Sequence, residues 1–188
     1  HNVANAAAAL TACVVAGAPR TQLARTLADF RGAGRRFERL GETPSGALVV
    51  DDYAHHPTEL RAAIAAARTL GRRRVVAVFQ PHLYSRTALL ARGFGAALAQ
   101  ADAALVLDVY PSRERAEDFP GVTGLLVAEA AADAARGRPV AWARDFDAAE
   151  ALLRATLRPG DLCLVLGAGD VDELARRLVQ TAVATSVA

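Results

Sequence analysis

Ala47-Leu48-Val49-Val50-Asp51-Asp52-Tyr53-Ala54-His55-His56-Pro57-Thr58-Glu59-Leu60 joins an aliphatic run to a helical pattern through a loop crowded with titratable groups. Two acids, a phenol and two imidazoles stand between the end of a buried strand and the start of a helix. A hydrophobic core has no use for such a cluster. In a doubly wound sheet, ligands bind at the carboxyl ends of the strands, so this loop is the first candidate site.

Downstream, the same strand–loop–helix unit recurs. Strand 46–50 is followed by a helix over 58–70, with Leu60, Ile64 and Ala67 along one face. Strand 74–79 leads through Gln80-Pro81-His82-Leu83-Tyr84-Ser85-Arg86 to a helix over 87–100. Strand 104–109 leads through Tyr110-Pro111-Ser112-Arg113-Glu114 and a polar loop to a helix over 123–136. A short strand at 139–142, a helix at 146–157 and a strand at 162–166 come next. Gly167-Ala168-Gly169-Asp170 then opens a last helix to about residue 183, with the ATSVA tail expected to fray. Such alternation predicts an α/β fold: a Rossmann-like, mostly parallel, doubly wound sheet with helices on both faces. Right-handed crossovers bring the polar clusters at 51–56, 80–86, 110–114 and 167–170 to one rim. Their convergence points to function more strongly than any single motif.

Upstream, residues 1–16 are Ala-rich and unbroken, which predicts a helix. Asn2 and Asn5 share one helix face. They either cap the helix and meet solvent, or aim two amides at a ligand near its N-terminus. A second short helix over 20–31 follows Gly17-Ala18-Pro19. Gly32-Ala33-Gly34-Arg35-Arg36 then reads as a linker, dividing the chain into residues 1–33 and 34–188. An arginine here is either a surface charge or an electrostatic clamp beside a phosphate. Because the chain opens inside a helix, a preceding part of the protein is expected.

With 188 residues, 53% of them apolar and few aromatic, the chain can build a core of small aliphatics. A net charge of +2 argues weakly for anionic ligands and gives no support for a nucleic-acid partner. Cys13 and Cys163 lie in apolar contexts and predict reduced, buried thiols in a cytosolic protein. No long uncharged apolar run predicts a membrane span.

His55 and His56 are adjacent, so their side chains diverge and only one is expected to face the site. A metal-dependent hydrolase built on Asp52, His55 and His82 is an alternative, although the spacing matches no defined metal signature. Gly167-Ala168-Gly169 is two-thirds of a dinucleotide fingerprint. Asp172 stands where the third glycine belongs, and close strand–helix packing explains the pair equally well. Neither a P-loop nor a nucleophile elbow occurs in the sequence.

HNVAN, FRGAGRRFE, VVDDYAHHPTEL, VVAVFQPHLYSRT, DVYPSRE and LVLGAGDV, in this order, closely resemble the C-terminal third of Mur ligases, in the branch acting on N-acetylmuramate. The resemblance implies the Rossmann-like C-terminal domain of a three-domain enzyme, with residues 1–33 ending the central ATPase domain. It implies peptidoglycan precursor synthesis in the cytoplasm. ATP with Mg2+, bound mainly by the central domain, would activate UDP-N-acetylmuramate as an acyl phosphate, which L-alanine attacks. By resemblance, Asn2, Asn5, Arg36 and Asp52 are ATP-side residues, and Tyr53, His55, His82 and Arg86 line the amino-acid pocket. No residue of this chain is assigned a catalytic role, and none a metal. The chain alone is expected to be inactive. Alternatives are a related ligase that recycles a tripeptide onto the same sugar, the hydrolase above, or a non-catalytic nucleotide- or amino-acid-binding module.

Overall fold

The computed structural model describes residues 2–30 and 32–180, with only the backbone of Asn2. His1, the Asn2 side chain and the ATSVA tail, for which the sequence raised expectations, lie outside the described residues. The chain divides between Gly34 and Arg35 into two compact units.

The first unit is a pair of helices, α1 (Asn2–Val15) and α2 (Arg20–Asp29). Gly17, at φ 87°, ends α1 in a left-handed turn. There Gly17 N–H donates to Val14 O and Ala18 N–H to Cys13 O, both at 3.0 Å, satisfying the last carbonyls. No residue of α2 is buried, and Cys13 is exposed rather than buried as its apolar context predicted. Within a unit of two helices there is no second layer to cover it.

The second unit is the α/β fold the alternation predicted. Its elements are β1 (Glu38–Glu42), β2 (Leu48–Asp52), α3 (Pro57–Arg68), β3 (Arg74–Phe79), α4 (Tyr84–Leu98) and β4 (Ala103–Leu107). They continue with α5 (Gly124–Ala134), β5 (Val140–Ala143), α6 (Phe146–Thr156), β6 (Asp161–Leu166) and α7 (Asp172–Val179). The sheet order is β1-β2-β6-β3-β4-β5, parallel except for β1. Period-two alternation splits each of the strands β2 to β6 between two cores. Leu162, Leu164 and Leu166 of β6 face α3, α4 and α5, whereas Cys163 and Val165 face α6 and α7. The loop after β6 therefore leaves toward the opposite face from the loops after its neighbours β2 and β3. That reversal opens the crevice in which such sheets bind ligands.

Of the boundaries that differ from the sequence reading, three bear on the rim. β1 falls in a stretch read as linker and connection. Its polar sequence, Glu38-Arg39-Leu40-Gly41-Glu42, suits an antiparallel edge strand, and a bulge between Arg39 and Gly41 interrupts its register. β2 runs two residues beyond the expected strand, so Asp51 and Asp52 are strand residues, only 1% and 4% exposed. α4 begins at Tyr84 rather than at 87. Its cap residue, Leu83, offers no capping side chain to read.

Candidate active site at the strand-end rim

The four polar clusters meet where β2, β6, β3 and β4 end. The His55 ring lies 5.4 Å from Tyr53 and 6.4 Å from His82, and His82 stacks on Tyr110 at 5.6 Å. A bridge between His82 and Tyr110 extends the sheet past β3 and β4: Leu83 N–H donates to Tyr110 O and Tyr110 N–H to Pro81 O. The four rings form a band across the crevice, fixed at one end by backbone hydrogen bonds.

The adjacent histidines divide as their geometry demands. His56 caps α3: its Nδ1 accepts from Thr58 N–H at 3.3 Å, and Glu59 accepts from His56 N–H in return. His55 turns inward. Its Nδ1 lies 2.9 Å from Tyr53 O, an acceptor, so Nδ1 is the donor of that bond and Nε2 takes no part in it.

His82 and Arg86 carry the open valences of the site. His82 Nδ1 and Arg86 Nη1 are buried with no hydrogen-bond partner in the structure. Desolvation, reinforced by the nearby Arg86, holds the His82 imidazole below its ordinary range, so near neutral pH it is an uncharged ring. Leu83, between the His82 loop and α4, is buried at φ 72°. A bulky residue pays strain there, which persists only where its surroundings enforce it. Leu83 N–H is held by Tyr110 O, and its carbonyl accepts from both Thr87 N–H and Thr87 Oγ1. Glu114 completes the frame at the α4 N-terminus, accepting from Ser85 N–H at 2.9 Å and from Ser85 Oγ at 2.5 Å. These bonds hold its carboxyl below the usual range.

Asp52 faces inward. Its Oδ2 accepts from Phe37 N–H at 2.8 Å and its Oδ1 from Ala54 N–H at 2.9 Å. Burial raises its carboxyl, partly opposed by those two bonds. Each Asp52 oxygen already accepts a backbone N–H, and among the described residues no three His, Cys, Asp or Glu side chains are grouped as a metal site, so Asp52, His55 and His82 do not form the one the hydrolase alternative needs. Arg36 is exposed, its guanidinium 5.3 Å from the centre of the Tyr53 ring, and it fits an anion such as a phosphate. Asn5 lies exposed on α1, in the first unit.

Gly167 and Gly169 serve packing. A Cβ on Gly169 would lie 2.6 Å from Gln80 Oε1 and from the Tyr110 ring, and one on Gly167 3.0 Å from Gln80 O. Their carbonyls accept from Arg35, at 2.7 and 2.8 Å. A phosphate cradle needs N–H groups, so here the loop binds a cation of its own chain.

Residues 35–169 match the family described as Mur ligase, glutamate ligase domain. The chain belongs to the Mur ligase family. It is 48% identical over 178 residues to the UDP-N-acetylmuramate–L-alanine ligase of Chlorobaculum tepidum, and 55% identical over 172 residues to that of Kineococcus radiotolerans. These alignments take in 94% and 91% of this chain, but 37% and 36% of those proteins; the chain spans little more than a third of their length. Among solved structures, the UDP-N-acetylmuramate-alanine ligase of Thermotoga maritima superposes with a TM-score of 0.75 at 28% identity, over 95% of this chain and 37% of that one. A murein peptide ligase from Psychrobacter arcticus shares the fold, with a TM-score of 0.64 at 23% identity over 95% of this chain and 36% of that one.

Sequence reasoning placed Asp51, Gln80, Tyr110 and Glu114 in the rim clusters but gave none of them a role, and it left Arg35 as one of a linker's paired arginines. The Gly-Arg-Arg spacing marks the arginine pair but does not say which of the two turns inward.

Proposed function

We propose that the chain is the acceptor-binding, C-terminal part of an ATP-dependent ligase that joins L-alanine to UDP-N-acetylmuramate, a step of peptidoglycan precursor synthesis in the cytoplasm. The observation that carries this reading is the pair of buried, unpartnered polar atoms, His82 Nδ1 and Arg86 Nη1, on the rim of a chain about half identical to L-alanine-adding ligases. Arg86 offers its planar fork to the acceptor carboxylate. Neutral His82 and the free Nε2 of His55 offer lone pairs to an ammonium, and Tyr53 walls the pocket. Arg36 faces the nucleotide phosphates. Asp52 shapes the nucleotide side of the loop, and Asn2 and Asn5 contribute from the preceding ATPase domain, which residues 1–33 end. ATP with Mg2+, held mainly by that domain, supplies phosphoryl activation of the muramoyl carboxylate. This chain's residues hold the amine against the activated group and exclude water.

The test uses the full-length enzyme, with UDP-N-acetylmuramate and ATP, and compares L-alanine with the L-alanyl-γ-D-glutamyl-diaminopimelate tripeptide as acceptor. ADP release and amide formation that require L-alanine are expected. Preference for the tripeptide would move the assignment to the recycling ligase. Absence of turnover with either acceptor would refute the ligase reading.

A further inference from the structure

We infer that Arg35 is a positioning residue of this ligase, one that fixes its neighbour Arg36 over Tyr53 without touching a substrate itself. The inference rests on the ligase reading above. Arg35 occupies the left-handed region at φ 56°, a conformation that costs an arginine about 1 kcal/mol. Contacts on every side hold it there. Its N–H donates to Glu38 Oε2 at 2.8 Å and its carbonyl accepts from Tyr53 N–H at 2.7 Å. Nε donates to Asp51 Oδ2 at 3.0 Å, Nη1 to Gly169 O at 2.8 Å and Nη2 to Gly167 O at 2.7 Å, with Asp172 Oδ1 3.4 Å from Nη1. One guanidinium thus ties the end of β2, the loop after β6 and the first turn of α7 together. A lysine cannot span those acceptors from a single point charge.

The consequence falls on Arg36. The residue before it is locked by these bonds, and Phe37 after it donates its N–H to Asp52 Oδ2 at 2.8 Å. The backbone of Arg36 is therefore clamped on both sides while its side chain is exposed, and the two guanidiniums lie 5.2 and 5.3 Å from the centre of the same Tyr53 ring. Two like charges share one aromatic ring. The one with its donors spent inward holds the other outward, toward solvent and any incoming anion.

A double-mutant cycle in the full-length ligase separates positioning from plain stabilisation. The variants are R35M, R35K, R36A and each Arg35 variant combined with R36A. R35M and R35K should each cut kcat by about tenfold to a hundredfold, with the KM for alanine within about twofold of wild type, and lysine should fail to rescue. Combined with R36A, either change should cost little beyond R36A alone, because Arg35 acts through Arg36. Additive losses would overturn the inference, as would wild-type kinetics in R35M; if R35M does not fold, R35K carries the cycle. A wild-type enzyme that forms no amide defeats the ligase reading. An active wild type, an impaired R36A and an additive cycle defeat only the role given to Arg35.

Discussion

The two ends of the sheet treat buried polar groups in opposite ways. At the amino end of β6, Asp161 is 1% exposed, and both its oxygens are used: Arg74 donates to them at 3.3 and 2.6 Å, and Arg158 N–H adds a third bond at 2.9 Å. Nearby, Asp102 accepts from Val75 N–H and from Arg68. At the carboxyl end, four buried atoms have no partner: Asp51 Oδ1, Gln80 Oε1, His82 Nδ1 and Arg86 Nη1. Trp142 Nε1 on β5 is the fifth such atom among the described residues. Buried polar atoms are nearly always paired, since each orphan costs about 1–3 kcal/mol. Four orphans at one end of one sheet, beside a saturated opposite end, mark the end that is completed by something else.

The sharpest way to break this contrast is to exchange the consequences of mutation at the two ends. Asp161→Ala strands Arg74 and the Arg158 N–H and should cost about 3–5 kcal/mol of stability, read as a large fall in Tm, without changing the alanine KM of whatever enzyme still folds. Arg86→Ala should do the reverse in the full-length enzyme. Tm should shift little, because Nη1 has no protein partner to lose, while kcat/KM for alanine should fall about a hundredfold, near 3 kcal/mol. Unchanged kinetics in Arg86→Ala would remove it from the pocket.

The same contrast explains what the sequence could reveal. Aliphatic runs alternating with amphipathic helices give the parallel strands, both faces and the rim, because these follow from periodicity and right-handed crossovers. Signals that depend on tertiary partners stay hidden. β1 has no apolar run and exists because β2 offers it an edge. α4 starts early because Glu114, 29 residues beyond Ser85, supplies the capping group that Leu83 lacks. Gly167-Ala168-Gly169 could be read as packing or as a phosphate loop until Arg35 was seen on its carbonyls. Of the candidate residues, His55, His82 and Tyr53 come together as a group, whereas Asp52 turns inward to the backbone. Adjacent arginines look alike in sequence; the positive φ of the first and its inward bonds to Asp51, Gly167 and Gly169 separate them.

Asp51 tests the cost of an unpaired oxygen at the rim. Burial pushes its carboxyl from the ordinary 3.8 up to about 6, outweighing the attraction of Arg35 that opposes it; Asp172 and Glu38, also facing it, push the same way as burial. The native state then binds a proton that the unfolded chain releases between about pH 4 and 6. Stability from this group accordingly rises as pH falls through that window, and ionised Asp51 is a liability above it. Relative to Asp51→Asn, the wild type should gain about 2–3 kcal/mol between pH 7 and pH 4, measured by denaturant unfolding at each pH. A gap between the two proteins that does not change with pH would show that the Arg35 pair, rather than desolvation, governs the group.

The smallest effect concerns the histidine pair, where the two behaviours meet in neighbouring residues. His56 spends its Nδ1 on Thr58 N–H, as groups at the saturated end do, so His56→Ala should cost about 1 kcal/mol, the usual worth of a helix cap, and leave alanine kinetics intact. His56→Asn, which keeps an acceptor at the cap, should restore that loss. His55→Ala loses the Nδ1 bond to Tyr53 O but should above all raise the alanine KM, because its Nε2 is the nitrogen left without a structural role. If the kinetic loss followed His56 and the stability loss His55, the ring band from Tyr53 to Tyr110 would not be the acceptor pocket, and the orphaned atoms behind it would need another ligand.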